Sequence, residues 1–222
     1  MSDNYIIAID GPTASGKGTV AKLLSQKLNI PCLSTGSIYR AITVYYLDHN
    51  VSSDDIEQIE RTINRIDIDV KCDQCGNTIV HIDGKDVTER LHDFSVSDAV
   101  HCYGRIPCIR KRAAYFQKLI ASRNSIICEG RDITSVIFPN ARYKFYLTAG
   151  LVVRANRRYK QEVKKDATTT FYDVIRSIWR RDTADMSREL SPLVCVKDAK
   201  VINSNALSID QVVDSMLSYI HD

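Results

Sequence analysis

No run of 18 consecutive apolar residues occurs in this 222-residue chain, which excludes a membrane-spanning helix of ordinary length. The polar Met1-Ser-Asp-Asn4 start lacks the charged-then-apolar order of a secretory leader. Internal repeats and low-complexity linkers are also missing. Aromatic residues make up only 8% of the chain. Positive charge is densest between Arg154 and Arg188, which holds ten Lys/Arg against five Asp/Glu, while the whole chain carries +3. A basic segment with few interleaved aromatics, punctuated by carboxylates, suits a small anion better than a nucleic-acid strand. The seven cysteines are odd in number and irregularly spaced. Cys72-x-x-Cys75 has no second pair to complete a zinc site, and Cys128 sits in strand-like apolar surroundings, so the expectation is a reduced, cytoplasmic protein. With 44% hydrophobic residues the chain can bury one good core with a small appended lobe.

What is present begins at once. The apolar run Tyr5-Ile-Ile-Ala-Ile-Asp10 leads into Gly11, Pro12, Thr13, Ala14, Ser15, Gly16, Lys17, Gly18 and Thr19, followed by an amphipathic stretch. The spacing G-x-x-x-x-G-K between a strand and a helix is that of a phosphate-binding loop. Its glycines let successive backbone amides turn toward a polyphosphate, the helix N-terminus adds its positive end, and Lys17 supplies a mobile charge. Gly18-Thr19 follows the lysine where Ser/Thr is usual, which resembles the loop of nucleoside monophosphate kinases. The chain has no Asn-Lys-x-Asp string for reading guanine, so a switch GTPase is not expected.

Downstream, periodicity predicts a helix over 19–28, a short strand over 31–34, a helix from Ile38 to about His49 and another from Asp54 to about Asn64. The pattern then alternates: Ile66, Ile68 and Val70, a Gln74-Cys-Gly-Asn77 turn, and Thr78 to Asp83 predict a β-hairpin closed by Asp83-Gly84. Pro107 opens a long helix to about Ser122. Strands are expected at 125–128, 143–147 and 200–203. Helices are expected over 151–165, from about 171 to 186, and from the Ser208 cap to Tyr219. Alternating strands and helices predict an α/β fold: a doubly wound parallel β-sheet flanked by helices, with ligands at the carboxyl ends of its strands.

Several strings occur in order: Ile9-Asp-Gly-Pro-Thr-Ala-Ser-Gly-Lys-Gly-Thr19, Ser34-Thr-Gly-Ser-Ile-Tyr-Arg40, Ser97-Asp-Ala-Val100, Glu129-Gly-Arg-Asp-Ile133, Phe138-Pro139, Arg181-Asp-x-x-Asp185-x-x-Arg188 and Ser191-Pro-Leu193. Together they resemble the bacterial-type cytidylate kinase family over nearly the whole chain. The resemblance implies a P-loop NTPase fold with a small β-rich acceptor-binding insert and a helical lid. It divides the single domain into a core (1–36, 103–153 and 189–222), an acceptor region (37–102) and a lid (154–188). It also implies phosphoryl transfer from ATP, with Mg2+, to CMP and dCMP by a monomer that binds neither nucleic acid nor membrane. The alternatives weighed are a kinase for UMP or a shikimate-like acceptor, and a P-loop binding protein without turnover.

By the same resemblance, Arg40, Arg131 and Arg188 clamp the acceptor phosphate or its surroundings, flanked by Thr35 and Tyr39. Asp185 holds the sugar hydroxyls, and Arg110 with Asp132 reads the cytosine edge. Lys17, Arg131, Arg157, Arg181 and Arg188 carry the transition-state charge, and Thr19 faces the metal. Arg154, Arg157 and Arg158 share a helical face expected in the lid. The chain departs from the family's common residues at Ser34 and Glu129 (usually Asp), Thr134 (Gly), Asn203 (Asp) and His101, which stands where a base-contacting serine is typical and is expected near the pyrimidine.

Overall fold

The structure, a computed structural model, describes residues 4–72, 78–164 and 166–221. Five parallel strands form the main sheet: β1 (Ile6–Asp10), β2 (Cys32–Ser34), β6 (Ile126–Gly130), β7 (Tyr143–Thr148) and β8 (Lys200–Asn203), in the order β2-β6-β1-β7-β8. Ile7, Ala8 and Ile9 are fully buried, as are Ile127 and Cys128 on the neighbouring strand; strands covered on both faces read as continuous apolar runs. The order reverses direction at β1, so the crevice beyond its carboxyl end is the switch point where such sheets bind ligands. The loop of Gly11 to Gly16 occupies that crevice.

Helices α1 (Lys17–Leu28) and α8 (Ile209–His221) cover one face, packing Val20, Ala21, Leu24, Val212, Val213 and Met216 onto Ile7, Ile9, Phe145 and Leu147. On the other face, α2 (Thr35–Asp48) and α5 (Pro107–Ala121) join a second cluster with Leu33, Ile38, Ile42, Ile109, Ala113 and Ile133. The last helix is capped as expected, since the Ser208 hydroxyl accepts from Gln211 N at 3.2 Å. Asp55 caps α3 (Ile56–Thr62) by accepting from Gln58 N at 3.0 Å.

The alternating segment forms an antiparallel pair, β3 (Ile68–Cys72) with β4 (Thr78–Ile82), in the register Val70 opposite Val80. The expected Gln74–Asn77 turn, and with it Cys75 of the Cys72/Cys75 pair, lies outside the described residues. Asp83-Gly84 follows at the open end of the hairpin, which Asp83 closes by donating its N–H to Asp67 O and accepting from Asp67 N through Oδ1, both at 3.0 Å. Asp83 and Gly84 take positive φ (49° and 77°), the signature of a two-residue reversal, and lead into a third strand, β5 (Lys85–Asp86).

Several helices differ from the sequence expectation. Helix α1 starts at Lys17 rather than Thr19, because Gly16 at φ 95° makes the reversal that places Lys17 in the first turn. Helix α2 starts at Thr35 rather than Ile38, with the Ser37 hydroxyl bonding back to Ser34 O at 2.7 Å. Helix α4 (Phe94–Tyr103) has no counterpart in the expected elements; it buries only Val96 and Tyr103, too few positions for an apolar stripe. Helices α6 (Leu151–Glu162) and α7 (Phe171–Ser187) pair over the site through Ala155, Val174 and Ile178. Among the described residues, no helix is long and apolar enough to cross a membrane.

Candidate active site

The cavity of about 1450 Å³ at the carboxyl end of β1 runs from the phosphate-binding loop to α4 and α5, with α6 and α7 along one side. Its walls carry Lys17, Thr35, Tyr39, Arg40, His101, Arg110, Arg131, Asp132, Arg157, Arg181, Asp185 and Arg188, together with Thr13 to Thr19. Every catalytic and acceptor residue expected from the sequence thus lines one space. Gly11 and Pro12 lie behind the loop, buried.

The loop's glycines are required by geometry at one end. A Cβ at Gly11 would lie 2.0 Å from the Leu147 carbonyl oxygen, so β7 leaves room only for hydrogen. Lys17 is 5% exposed, and its Nζ donates to Pro12 O at 2.9 Å and Ser15 Oγ at 3.3 Å. Burial, reinforced by the Arg131 guanidinium, lowers its ammonium to about 7. A lysine held down in this way is recharged by an arriving polyphosphate. Binding ATP at pH 8 is therefore expected to take up close to one proton per site, measurable by calorimetry in two buffers of different ionisation enthalpy. An uptake near zero would contradict a neutral Lys17 in the free protein. The sign also fixes stability. Between about pH 7 and 10.5 the unfolded chain holds this proton and the folded chain does not, so Lys17's contribution rises with pH through that window.

The loop is fastened to the lid-side helices by a buried tether. Asp182 accepts from Thr13 N at 2.8 Å and pairs with Arg154, whose guanidinium also donates to Thr13 O and Ala149 O at 2.8 Å each. Arg154 is 7% exposed, so it belongs to the packing of α6 against the loop and not to the basic face it was expected to share with Arg157 and Arg158. Arg157 lines the cavity, with its Nη atoms on Ser204 Oγ (3.0 Å) and Ser204 O (2.6 Å); Arg158 also lines it, and pairs with Glu162 at 2.6 Å.

Next to the loop, Arg131 spans both walls. Its Nε donates to Asp185 Oδ2 at 2.8 Å and its Nη2 to Thr13 Oγ1 at 3.3 Å. Arg188 approaches Asp185 at 3.4 Å and Asp132 at 3.9 Å and donates from Nε to Ser191 O at 2.5 Å. Arg40 reaches across to Leu91 O and to Ser97 Oγ, both at 2.9 Å. Burial and neighbouring guanidinium groups hold Arg40, Arg181 and Arg188 below the ordinary arginine range. So much positive charge in one space calls for an anion of several charges.

At the far end, Arg110 Nη2 meets Asp132 Oδ2 at 2.5 Å, both groups nearly buried, and the guanidinium lies 5.5 Å from the Tyr39 ring centroid. This planar donor and its carboxylate partner offer the fork-and-acceptor pattern that suits a base edge. His101 is exposed on α4 in the same cavity, with Nε2 at 3.4 Å from Cys102 Sγ.

Two of the departures noted in the sequence, Ser34 and Glu129, meet each other. The Ser34 hydroxyl donates to Glu129 Oε1 at 2.5 Å, and the Thr35 hydroxyl to Glu129 O at 2.9 Å. Thr134 supplies a hydroxyl to Asp10 Oδ2 at 2.6 Å, next to the backbone N–H of Ile133 and of Thr134 at 3.0 and 2.7 Å. Burial pushes the Asp10 carboxyl up, against the pull of these donors. Asp10 thus anchors the wide helical turn Ile133–Ile137 that orients Arg131 and Asp132, a role that its place at a strand end did not reveal.

A family model described as cytidylate kinase matches residues 7–222. The chain is 38% identical over 217 residues to a cytidylate kinase of Clostridium botulinum strain Loch Maree, covering 98% of each. It is 37% identical to that of Clostridioides difficile (98% of this chain, 99% of the relative) and 34% identical to that of Fusobacterium nucleatum (96% and 95%). Among solved structures, an uncharacterized protein from Eubacterium ventriosum shares the fold with a TM-score of 0.54, 13% identity and 99% coverage of both chains.

Proposed function

The chain belongs to the cytidylate kinase family, and from that premise we propose how its residues divide the work. The reaction is phosphoryl transfer from ATP to CMP, giving ADP and CDP. Its physical demand is to bring two highly charged phosphates in line without repulsion and without water. The loop of Gly11 to Thr19 takes the donor phosphates, with Lys17 following the migrating charge. Arg131, Arg181 and Arg188 neutralise the transferring group, Arg157 flanks the donor side, and Arg40 holds the acceptor phosphate beside Thr35 and Tyr39. Asp185 takes the sugar hydroxyls, and Arg110 with Asp132 takes the cytosine; dCMP is accepted by the same contacts.

The donor set at the loop mouth fits Mg2+. Thr19 is exposed in the cavity, whose wall also carries the Glu129 carboxylate, and nucleotide phosphates complete such hard-oxygen sites. When bound, the ion supplies charge neutralisation to the donor phosphates. We further propose that residues 37–102 serve as the acceptor region and 154–188 as a lid that closes to exclude water, on a core of 1–36, 103–153 and 189–222. The Arg154 tether would keep the base of the lid fixed to the loop while its outer part moves. ATP dependence and thiols such as Cys32 and Cys128 left unbridged support a reducing, cytoplasmic setting.

The observation that carries this reading is the Arg110–Asp132 pair facing the phosphate loop across one cavity. Arg110→Met is expected to raise KM for CMP by about 10- to 100-fold, the worth of a charge-assisted hydrogen bond, and to leave KM for ATP unchanged. Steady-state kinetics with each substrate varied checks it; equal losses for both would remove Arg110 from the base end.

A further inference from the structure

Helix α5 buries a carboxamide close to the Tyr39 phenol. Gln117 is 1% exposed, and neither its Nε2 nor its Oε1 has a hydrogen-bond partner among the described residues. Two neighbouring groups in the same region are also without partners: the buried Tyr39 hydroxyl on α2 and Arg110 Nε on α5. Leaving a buried polar group unsatisfied is expensive, and glutamine is a poor choice for a core position that needs only bulk. A structural reason for this amide is therefore missing unless a partner exists within reach.

The helix itself supplies the geometry. Arg110 and Gln117 are seven residues apart on α5, two turns along one face. The Tyr39 ring lies under the Arg110 guanidinium, 5.5 Å from its carbon. Gln117 also bears on the Tyr39 phenol without closing a hydrogen bond of normal geometry. Burial pushes that phenol up, so it remains an O–H that needs an acceptor. Gln117 lies behind the cavity wall and Tyr39 and Arg110 lie in it, so Gln117 touches no substrate directly.

We propose that Gln117 is a positioning residue for the acceptor: its carboxamide takes the Tyr39 hydroxyl as partner and so fixes the ring that supports Arg110. The inference rests on the reading that Arg110 meets the nucleoside end of CMP, and it assigns to the second layer of that site a residue without which the cation–π platform is free to swing.

The test is a double-mutant cycle on the intact enzyme with Gln117→Leu, Tyr39→Phe and both together, varying CMP and ATP separately. Each single change is expected to raise KM for CMP by about three- to tenfold, the size of one neutral hydrogen bond, with KM for ATP unchanged. The double variant should be no worse than either single one, because the same contact is removed twice. Multiplying losses, equal effects on CMP and ATP, or an unchanged KM for CMP would overturn the proposal. Should Gln117→Leu fail to fold by thermal denaturation, Gln117→Met replaces it in the cycle. Should that fail too, Gln117→Asn, which keeps the amide but withdraws it from the phenol by one methylene, takes its place, with an unchanged KM for CMP counting against. Arg110→Met separates the two layers: if it spares CMP, the base-end reading has failed; if it weakens CMP while the cycle is additive, only the role of Gln117 has failed.

Discussion

Lys17→Ala is expected to lower turnover by about a thousandfold or more while leaving the fold intact or slightly more stable. The two halves of that result have separate causes. In the transfer step, the metaphosphate-like phosphoryl group passes from donor to acceptor while negative charge builds on the bridging oxygen it leaves, and a positioned cation is worth most beside those oxygens in a water-poor space. In the free protein, the same ammonium is buried against Pro12 O and Ser15 Oγ, its pKa is pulled down to about 7, and the Arg131 guanidinium opposes it. Its removal relieves a strain that the fold carries for the sake of the reaction. Single-turnover kinetics and a thermal melt of the same sample check both halves. Turnover within tenfold of the original would break the assignment, and a large drop in melting temperature would mean that Lys17 is structural.

The second large effect is at Asp132. Asp132→Ala removes the partner of Arg110 at 2.5 Å and of Arg188 at 3.9 Å from a position 4% exposed. Stranding buried guanidinium groups costs about 3–5 kcal/mol, so the variant should be strongly destabilised as well as unable to hold CMP. Converting both members, Asp132→Leu with Arg110→Met, should recover most of that stability, since no charge is then left unpaired. It should recover none of the CMP affinity. Urea unfolding and CMP titration of the two variants test the pair together. Recovery of binding in the double variant would make the ion pair a core element only.

How much of this was legible in the sequence depended on how local the information was. The phosphate loop is encoded within nine residues, and its consequences for Gly11, Gly16 and Lys17 follow from backbone geometry. The parallel sheet follows from apolar strands recurring between amphipathic helices. The Arg154–Asp182–Thr13 tether was not readable: a basic helix face and an acidic position on another helix look the same whether solvated or joined across 28 residues. Helix α4 was hidden because it buries so little, and the true start of α2 because Gly36 lies in its first turn. Ser34 and Glu129, each a departure when read singly, became a matched pair once β2 and β6 set them side by side. Gln117 gave no signal at all, since a glutamine between Phe116 and Lys118 reads as part of a polar face until its burial is known.

Phosphoryl transfer to CMP is tested by release of ADP from ATP in a coupled assay, with CMP, dCMP, UMP, AMP and shikimate offered in turn to the same enzyme. A cavity with a guanidinium–carboxylate pair at its nucleoside end and a charged clamp around the acceptor phosphate predicts rapid turnover with CMP. It predicts turnover with dCMP as well, slower turnover with UMP, and none with shikimate, which brings neither base nor phosphate to those groups. Preference for AMP or shikimate over CMP, or ADP release that does not depend on any acceptor, would contradict it.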